Sequence, residues 1–332
     1  MTGERRRNPT ADEWTTFATH RQDRTFLPPA EHCPLCPTTD PENPTEIPRE
    51  SYDFVVFDNK FPSLTADAPM PPDAPASGLY EAAPATGATE VVVYSDDHDL
   101  KLANMPVERL ARLVDVWADR YAELGRRDEV KYVFVFENKG EAMGVTLHHP
   151  HGQVYAFPEI PPRPMRELTA ALDHFAKHET CVWCDVIARE RVDGVRIVAA
   201  NESAVAYVPY WARYPYEVHV TMRRHAASLL DVTAPERLAL ADVLRAVLRA
   251  YDGLFGFPMP YVMSMHQAPT DDGQWQHVSH LHIELTPPHR TATKLKYLAG
   301  SELGGGAYVN DTVPEATAAE LRAVLARLDG SA

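Results

Sequence analysis

Four cysteines in two identical pairs constrain this chain more than any other feature. Cys33-Pro-Leu-Cys36 recurs as Cys181-Val-Trp-Cys184. Behind each pair the same order of elements follows. Apolar strands over 52–58 and 89–94 reach His98, as strands over 204–208 and 217–222 reach His225. A helix opening near Pro106 and closing at Gly125 matches one running from Pro235 to about Tyr251, with apolar residues at helical spacing. Buried strands over 131–136 and 261–265 come next, and then a His-x-His, His149-Pro-His151 in one case and His280-Leu-His282 in the other. The histidine separations agree: 98 to 149 is 51 positions and 225 to 280 is 55. The repeat is of domain size, so it indicates a duplicated domain rather than a solenoid. A length of 332 residues suits two domains of ordinary size. The proline-rich Pro158–Pro164 reads as the linker, which divides the chain into residues 1–165 and 166–332, with a further helix over 166–178. Residues 66–88 read as a long surface loop.

The repeat makes metal chemistry specific. A lone Cys-x-x-Cys is weak evidence, but one four-ligand order appearing twice is strong. Zinc favours four tetrahedral ligands, and Cys₂His₂ is a common closed set. The candidates are Cys33, Cys36, His98 and His149 in the first half, and Cys181, Cys184, His225 and His280 in the second. A metal on His149 would anchor the segment that presents His151.

A formal net charge of −15 argues against non-specific nucleic-acid binding, which needs a basic surface. It leaves room for a phosphate ligand in a cleft with local arginines. No apolar run approaches the roughly 20 residues that span a bilayer. The polar start lacks a signal-peptide core, so a cytoplasmic location is expected.

His151 stands beside Gly152 with no carboxylate near it in sequence. An imidazole whose other nitrogen is held by a backbone carbonyl is a competent nucleophile toward phosphorus. Gln153 shares its strand face two residues on. Asn59, Asn138, Arg21 and Arg24 are further candidate donors for a phosphoryl group. Turn formation at strand ends is the competing role for the asparagines, and a solvated charge cluster for the arginines.

The segment His149-Pro-His-Gly-Gln153 resembles the signature of the galactose-1-phosphate uridylyltransferases, a branch of the histidine-triad superfamily. The resemblance extends through His20-Arg-Gln-Asp-Arg24, Phe57-Asp-Asn-Lys-Phe-Pro62, Ser95-Asp-Asp-His98, Glu137-Asn-Lys139, Val208-Pro-Tyr-Trp-Ala212 and Met265-His-Gln-Ala-Pro269. It implies an α+β fold of two tandem histidine-triad-like domains, each an antiparallel half-barrel sheet packed with helices. It also implies double displacement: His151 takes the uridylyl group from UDP-glucose and passes it to galactose 1-phosphate. By the same resemblance Gln153 contacts the phosphoryl oxygens, Arg21, Arg24, Asn59 and Asn138 the nucleotide, and Lys296 and Glu302 the hexose phosphate. Thr146 keeps the hydroxyl where other members carry Ser. Ser301 in place of Tyr, and Gly304-Gly-Gly306, leave hexose choice open.

For a second metal some members use a Glu and three His, matched by Glu167, His266, His280 and His282; the Cys181 set is favoured here because both cysteines are present. Zinc is expected at two sites, with iron possible at the second, and the chain is expected to form a homodimer. Gln153 stands where histidine-triad hydrolases usually carry a histidine, which favours transfer over hydrolysis. An ADP-glucose phosphorylase of the same superfamily is the competing reading. A non-catalytic zinc-binding module is the reading from another class.

Overall fold

The computed structural model describes residues 3–24, 26–71, 78–271 and 273–330. Part of the expected 66–88 loop, residues 72–77, lies outside them. In chain order the larger elements are β1 (Glu4–Asn8), β2 (Glu13–Phe17), β3 (Val55–Asp58), β4 (Ala82–Pro84), β5 (Ala88–Val93), α1 (Val107–Gly125), β6 (Tyr132–Lys139), β7 (His151–Phe157), α2 (Pro162–His178), α3 (Val182–Asp193), β8 (Ile197–Ala200), β9 (Ala204–Tyr207), β10 (Val218–Met222), α4 (Ala234–Leu254), β11 (Tyr261–His266), β12 (His282–Thr286), β13 (His289–Thr291), β14 (Lys294–Leu295) and α5 (Pro314–Leu328).

Nine of these strands form one antiparallel sheet in the order β3-β5-β7-β6-β11-β12-β10-β9-β8. The duplication is visible in that order. From the outside inwards, β3-β5-β7-β6 of one half mirrors β9-β10-β12-β11 of the other, with β8 added beyond β9. The halves therefore share one continuous sheet, joined where Tyr261–Met265 pairs with Val135–Lys139. A small sheet of β2, β1 and β4 stands apart, and Arg5 of β1 is tied to Glu159.

One core serves both halves. Leu110, Leu113, Val114, Trp117, Tyr121 and Leu124 fall on one stripe of α1; Leu240, Leu244, Val247, Leu248 and Tyr251 fall on one stripe of α4. The helices pack on each other, α1 over β6 and β7, α4 over β8 to β10. Strand alternation then decides which residues face away from the helices. In β7, Gly152, Val154 and Ala156 are buried, while His151, Gln153, Tyr155 and Phe157 are half-buried on the opposite face. In β6, Glu137 shares the core side with Val133 and Val135, and Asn138 shares the other face with Phe134 and Phe136.

Several expectations change. The segment Pro158–Pro164 is only partly a linker, because α2 starts at Pro162, where proline suits a first turn. The strand expected over 131–136 runs on to Lys139, so Glu137 and Asn138 belong to the sheet. The strand expected over 52–58 is shorter, Val55–Asp58. Strand β7 begins at His151, which leaves His149 on the bend before it. Helix α3 starts directly on the second cysteine pair with Cys181 as its N-cap, where the first pair lies in a loop without a following α-helix.

Candidate functional site

The first cysteine pair and its two histidines converge. Cys33, Cys36, His98 and His149 place their ligand atoms within 4.8 Å of one another. Cys36 Sγ lies 3.4 Å from His98 Nδ1 and 3.5 Å from His149 Nδ1. The outer nitrogen of His149 donates to the Ser95 carbonyl at 2.6 Å, with the Tyr52 hydroxyl at 3.1 Å. That bond places the ring's lone pair on Nδ1, facing the sulfurs. Burial and the neighbouring Cys33 push the Cys36 thiol up to about 12. A cation between two such sulfurs reverses that penalty, because it stabilises thiolates. The donor set, its burial and the fixed tautomer all fit a closed tetrahedral metal site.

The second set is built the same way. Cys181, Cys184, His225 and His280 converge within the same limit. His280 Nδ1 is 3.8 Å from Cys181 Sγ and 3.6 Å from Cys184 Sγ, and His225 Nδ1 is 3.7 Å from Cys184 Sγ. The outer nitrogens donate to the carbonyls of Met222 and Gln276 at 3.1 and 2.8 Å. The alternative foursome is split by this arrangement. Glu167, His266 and His282 do cluster, with His266 Nδ1 2.7 Å from Glu167 Oε2, but His280 faces the cysteines.

From the bend at His149 the chain enters β7 with His151. Its Nδ1 donates to the His149 carbonyl at 2.8 Å. Nε2 is thereby left as the unprotonated, lone-pair nitrogen. Burial lowers the imidazole's proton affinity, which favours the neutral, nucleophilic form. A pocket beside it brings together Arg24, Asn59, Thr146, His151 and Gln153, walled by Leu35, Phe57 and Val91. Asn59 Nδ2 donates to Gln153 Oε1 at 3.4 Å. Arg21 stands behind this group, its guanidinium on the Phe61 carbonyl at 2.9 Å. Burial first, and then the charge of Arg21, lower the Arg24 pKa, so an anion would be welcome there. Asn138 lines the adjoining cleft, of ≈ 250 Å³, which also reaches His148 and His151.

Lys296 and Glu302 are elsewhere. They pair at 3.1 Å, with Lys296 also donating to the Val309 carbonyl, and neither lines a pocket that contains His151. Sequence reasoning did not single out the apolar walls Leu35, Phe57 and Val91, nor Tyr52 and the Ser95 carbonyl behind His149. Leu35 had a signal, since it lies between two paired cysteines; a backbone carbonyl has none.

Comparison with known proteins completes the description. The family model described as galactose-1-phosphate uridyl transferase, N-terminal domain, matches residues 1–161, and its C-terminal domain counterpart matches residues 167–329. The galactose-1-phosphate uridylyltransferase of Thermotoga maritima is 39% identical over 319 residues, covering 96% of this chain and 98% of that protein. A solved uridylyltransferase structure superposes with a TM-score of 0.86 at 35% identity, covering 98% of this chain and 99% of that one. An ADP-glucose phosphorylase from Arabidopsis thaliana shares the fold, with a TM-score of 0.72 at 20% identity over 97% of this chain and 98% of that one.

Proposed function

Since the chain belongs to the galactose-1-phosphate uridylyltransferase family, we propose that it exchanges a uridylyl group between UDP-glucose and galactose 1-phosphate through His151. The observation that carries this reading is the fixed tautomer of His151, with Nε2 left unprotonated beside Asn59, Gln153 and Arg24. Nε2 attacks the α-phosphorus of UDP-glucose, a nitrogen–phosphorus bond forms, and the bond from that phosphorus to the bridging oxygen breaks. Glucose 1-phosphate leaves as the anion, so no acid is needed to protonate it. An oxygen of galactose 1-phosphate then attacks the uridylyl phosphorus and returns the electron pair to Nε2, giving UDP-galactose. Gln153 and Asn59 donate to the phosphoryl oxygens, Arg24 and Arg21 offset their charge, and the hydroxyl of Thr146 orients the group. Asn138 reaches the same phosphates from the next strand. The apolar walls take the base by shape.

The two Cys₂His₂ sets would each hold a zinc ion, with iron the alternative at the second, and what a metal supplies is a rigid anchor for the segments that carry them. Domain division falls at 165/166, within the first turns of α2. The absence of Lys296 and Glu302 from the pockets of His151 supports a homodimer in which a second chain brings its hexose-binding pair to the site. No helix among the described residues is long and apolar enough to cross a membrane, which is compatible with a cytoplasmic enzyme.

Intact mass after incubation with UDP-glucose alone, beside ADP-glucose and a His151→Asn control, tests the reading. A uridylyl adduct that the control lacks is the expected result. An adenylyl adduct would transfer the proposal to ADP-glucose, and no adduct with either nucleotide would overturn it.

A further inference from the structure

The pocket beside His151 holds one group that phosphate binding does not explain. Among the described residues that line it, Glu46 is the one carboxylate. An acid in a pocket for a diphosphate is unfavourable unless its charge is offset and a neutral donor of the ligand has use for it. The offset is present: Lys60 Nζ stands 2.6 Å from Glu46 Oε1, and Lys60 lines the same pocket. The Glu46 side chain is 32% exposed and that of Lys60 63%. A pair so open to water contributes little to stability, so stability does not account for an acid at this place.

Both residues are fixed from behind. The Glu46 N–H donates to the Pro34 carbonyl at 3.0 Å, and the Thr45 hydroxyl donates to the Cys36 carbonyl at 2.7 Å. Ile47, fully buried, packs with Cys33, Leu35 and Val91. The carboxylate therefore rides on the loop that carries the first cysteine pair. Lys60 is placed from the sheet: the Asn59 N–H extends the β3–β5 ladder to the Thr89 carbonyl at 2.8 Å, and Asn59 Oδ1 accepts from the Phe61 N–H at 2.9 Å. Strand register shows where a nucleotide runs past them. Gln153 opposes Val91 and Val91 opposes Phe57, so these side chains form one row across β7, β5 and β3, about 10 Å from end to end. With a phosphoryl group at Gln153 and a base against the apolar end, the sugar spans the middle. Arg24, Asn59, Thr146 and Gln153 serve the phosphoryl end, which leaves Glu46 and Lys60 as the polar lining for the sugar.

We infer that Glu46 determines specificity for a ribonucleotide donor: its carboxylate accepts hydrogen bonds from the adjacent 2′- and 3′-hydroxyls of the ribose, and Lys60 holds it in place. An ionised carboxyl is an acceptor only, with two oxygens, which suits two neighbouring hydroxyls. A charged acceptor makes roughly twice as strong a bond as a neutral one. A donor that lacks a hydroxyl leaves the carboxylate short of a partner and is rejected on that ground.

This role rests on the uridylyl-transfer reading, and the test separates the two. Adduct formation is followed by intact mass in single turnovers with UDP-glucose and with its analogues lacking the ribose 2′- or 3′-hydroxyl, each below saturation. The native enzyme is expected to use either deoxy donor about 10- to 100-fold less efficiently, the value of a hydrogen bond to a charged group. In Glu46→Ala that ratio should fall below about threefold, because the loss falls on the donor that carries both hydroxyls. Glu46→Gln keeps an acceptor oxygen and should keep an intermediate ratio. Native enzyme that treats the three donors alike, or Glu46→Ala with the native ratio, would overturn the ribose role and leave the His151 reading in place. If Glu46→Ala loses its metal or does not fold, Glu46→Gln decides, and the full native ratio there would overturn the role. Native enzyme that forms no adduct with UDP-glucose would remove both readings.

Discussion

The two halves of the molecule keep the same backbone devices and differ in three side chains at the same place. His151 Nδ1 bonds to the His149 carbonyl at 2.8 Å, and His282 Nδ1 bonds to the His280 carbonyl at 2.8 Å. Each histidine follows a Cys₂His₂ ligand by two residues. Two residues further on, Gln153 in one half corresponds to Glu284 in the other. Across the ladder Val91 opposes Gln153, whereas His219 opposes Glu284. Between the cysteines Leu35 corresponds to Trp183, whose indole stacks on His282 at 3.9 Å. An open pocket around the Gln153 amide in the first half is thus a filled, charged cluster around a carboxylate in the second. Glu284 is buried among Arg163, Arg213 and His219. Duplication preserved what holds a histidine in place, and three substitutions decided that open space lies beside His151 while an indole covers His282.

Removing the proposed nucleophile should break the comparison most. His151→Asn is expected to cost at least about 10³-fold in transfer, while His282→Asn still forms the uridylyl adduct; intact mass distinguishes them. Importing the mirror residue comes next. Gln153→Glu would place a carboxylate against a phosphoryl group and should lower the single-turnover rate by about 10²-fold. The reciprocal Glu284→Gln removes the buried carboxylate that Arg213 and Arg163 share and should cost about 3 kcal/mol in denaturant unfolding, with little effect on the rate per folded molecule.

The metal sets should also separate the halves. Cys36→Ser is expected to lower both metal content and adduct rate, the latter by about 10- to 100-fold, because His149 leads directly into His151, the proposed nucleophile. Cys184→Ser should lower metal content and melting temperature and change the rate less than about threefold. Equal rate losses from the two variants would contradict the asymmetry argued here.

The smallest effect concerns the helices. Helix α4 begins with a capping box in which Glu236 accepts from the Thr233 N–H at 2.9 Å, whereas α1 begins at Pro106 with no side-chain cap. Arg224, and then the Thr233 N–H, hold the Glu236 carboxyl at about 2. Its lowered pKa means that its contribution is present above the unfolded value of about 4.3 and is lost as pH falls towards 2. The carboxyl is half-buried and its partner Arg224 is exposed to solvent screening, so Glu236→Gln should cost no more than about 1 kcal/mol near neutrality and less in acid; melting curves at pH 7 and pH 3 would show the gap closing.

Much of this was legible in the residues. Cys33, Cys36, His98 and His149 were found by repetition, and the structure brings all four together, as it does Cys181, Cys184, His225 and His280. The central strands and the two long helices followed from apolar periodicity. Helix α3, with Cys181 at its start, was not legible, since its apolar residues trace no clear stripe: among its twelve positions only Ile187 and Glu190 are buried. The start of α2 was missed because prolines that end most helices can also open one. Arg24, Asn59 and Gln153 were candidate donors by residue type and Thr146 was named from a resemblance, and their arrival in one pocket came from the fold.

By itself the sequence determined the duplication, the two ligand sets and the histidine pair, because these are statements of residue type and spacing. The tertiary structure decided that the halves share one sheet, that Trp183 covers His282 while Leu35 leaves space beside His151, and that Lys296 and Glu302 lie away from the pocket their own chain forms. Those outcomes depend on which side chains meet across strands far apart in the chain, and distance through space is not encoded in distance along it.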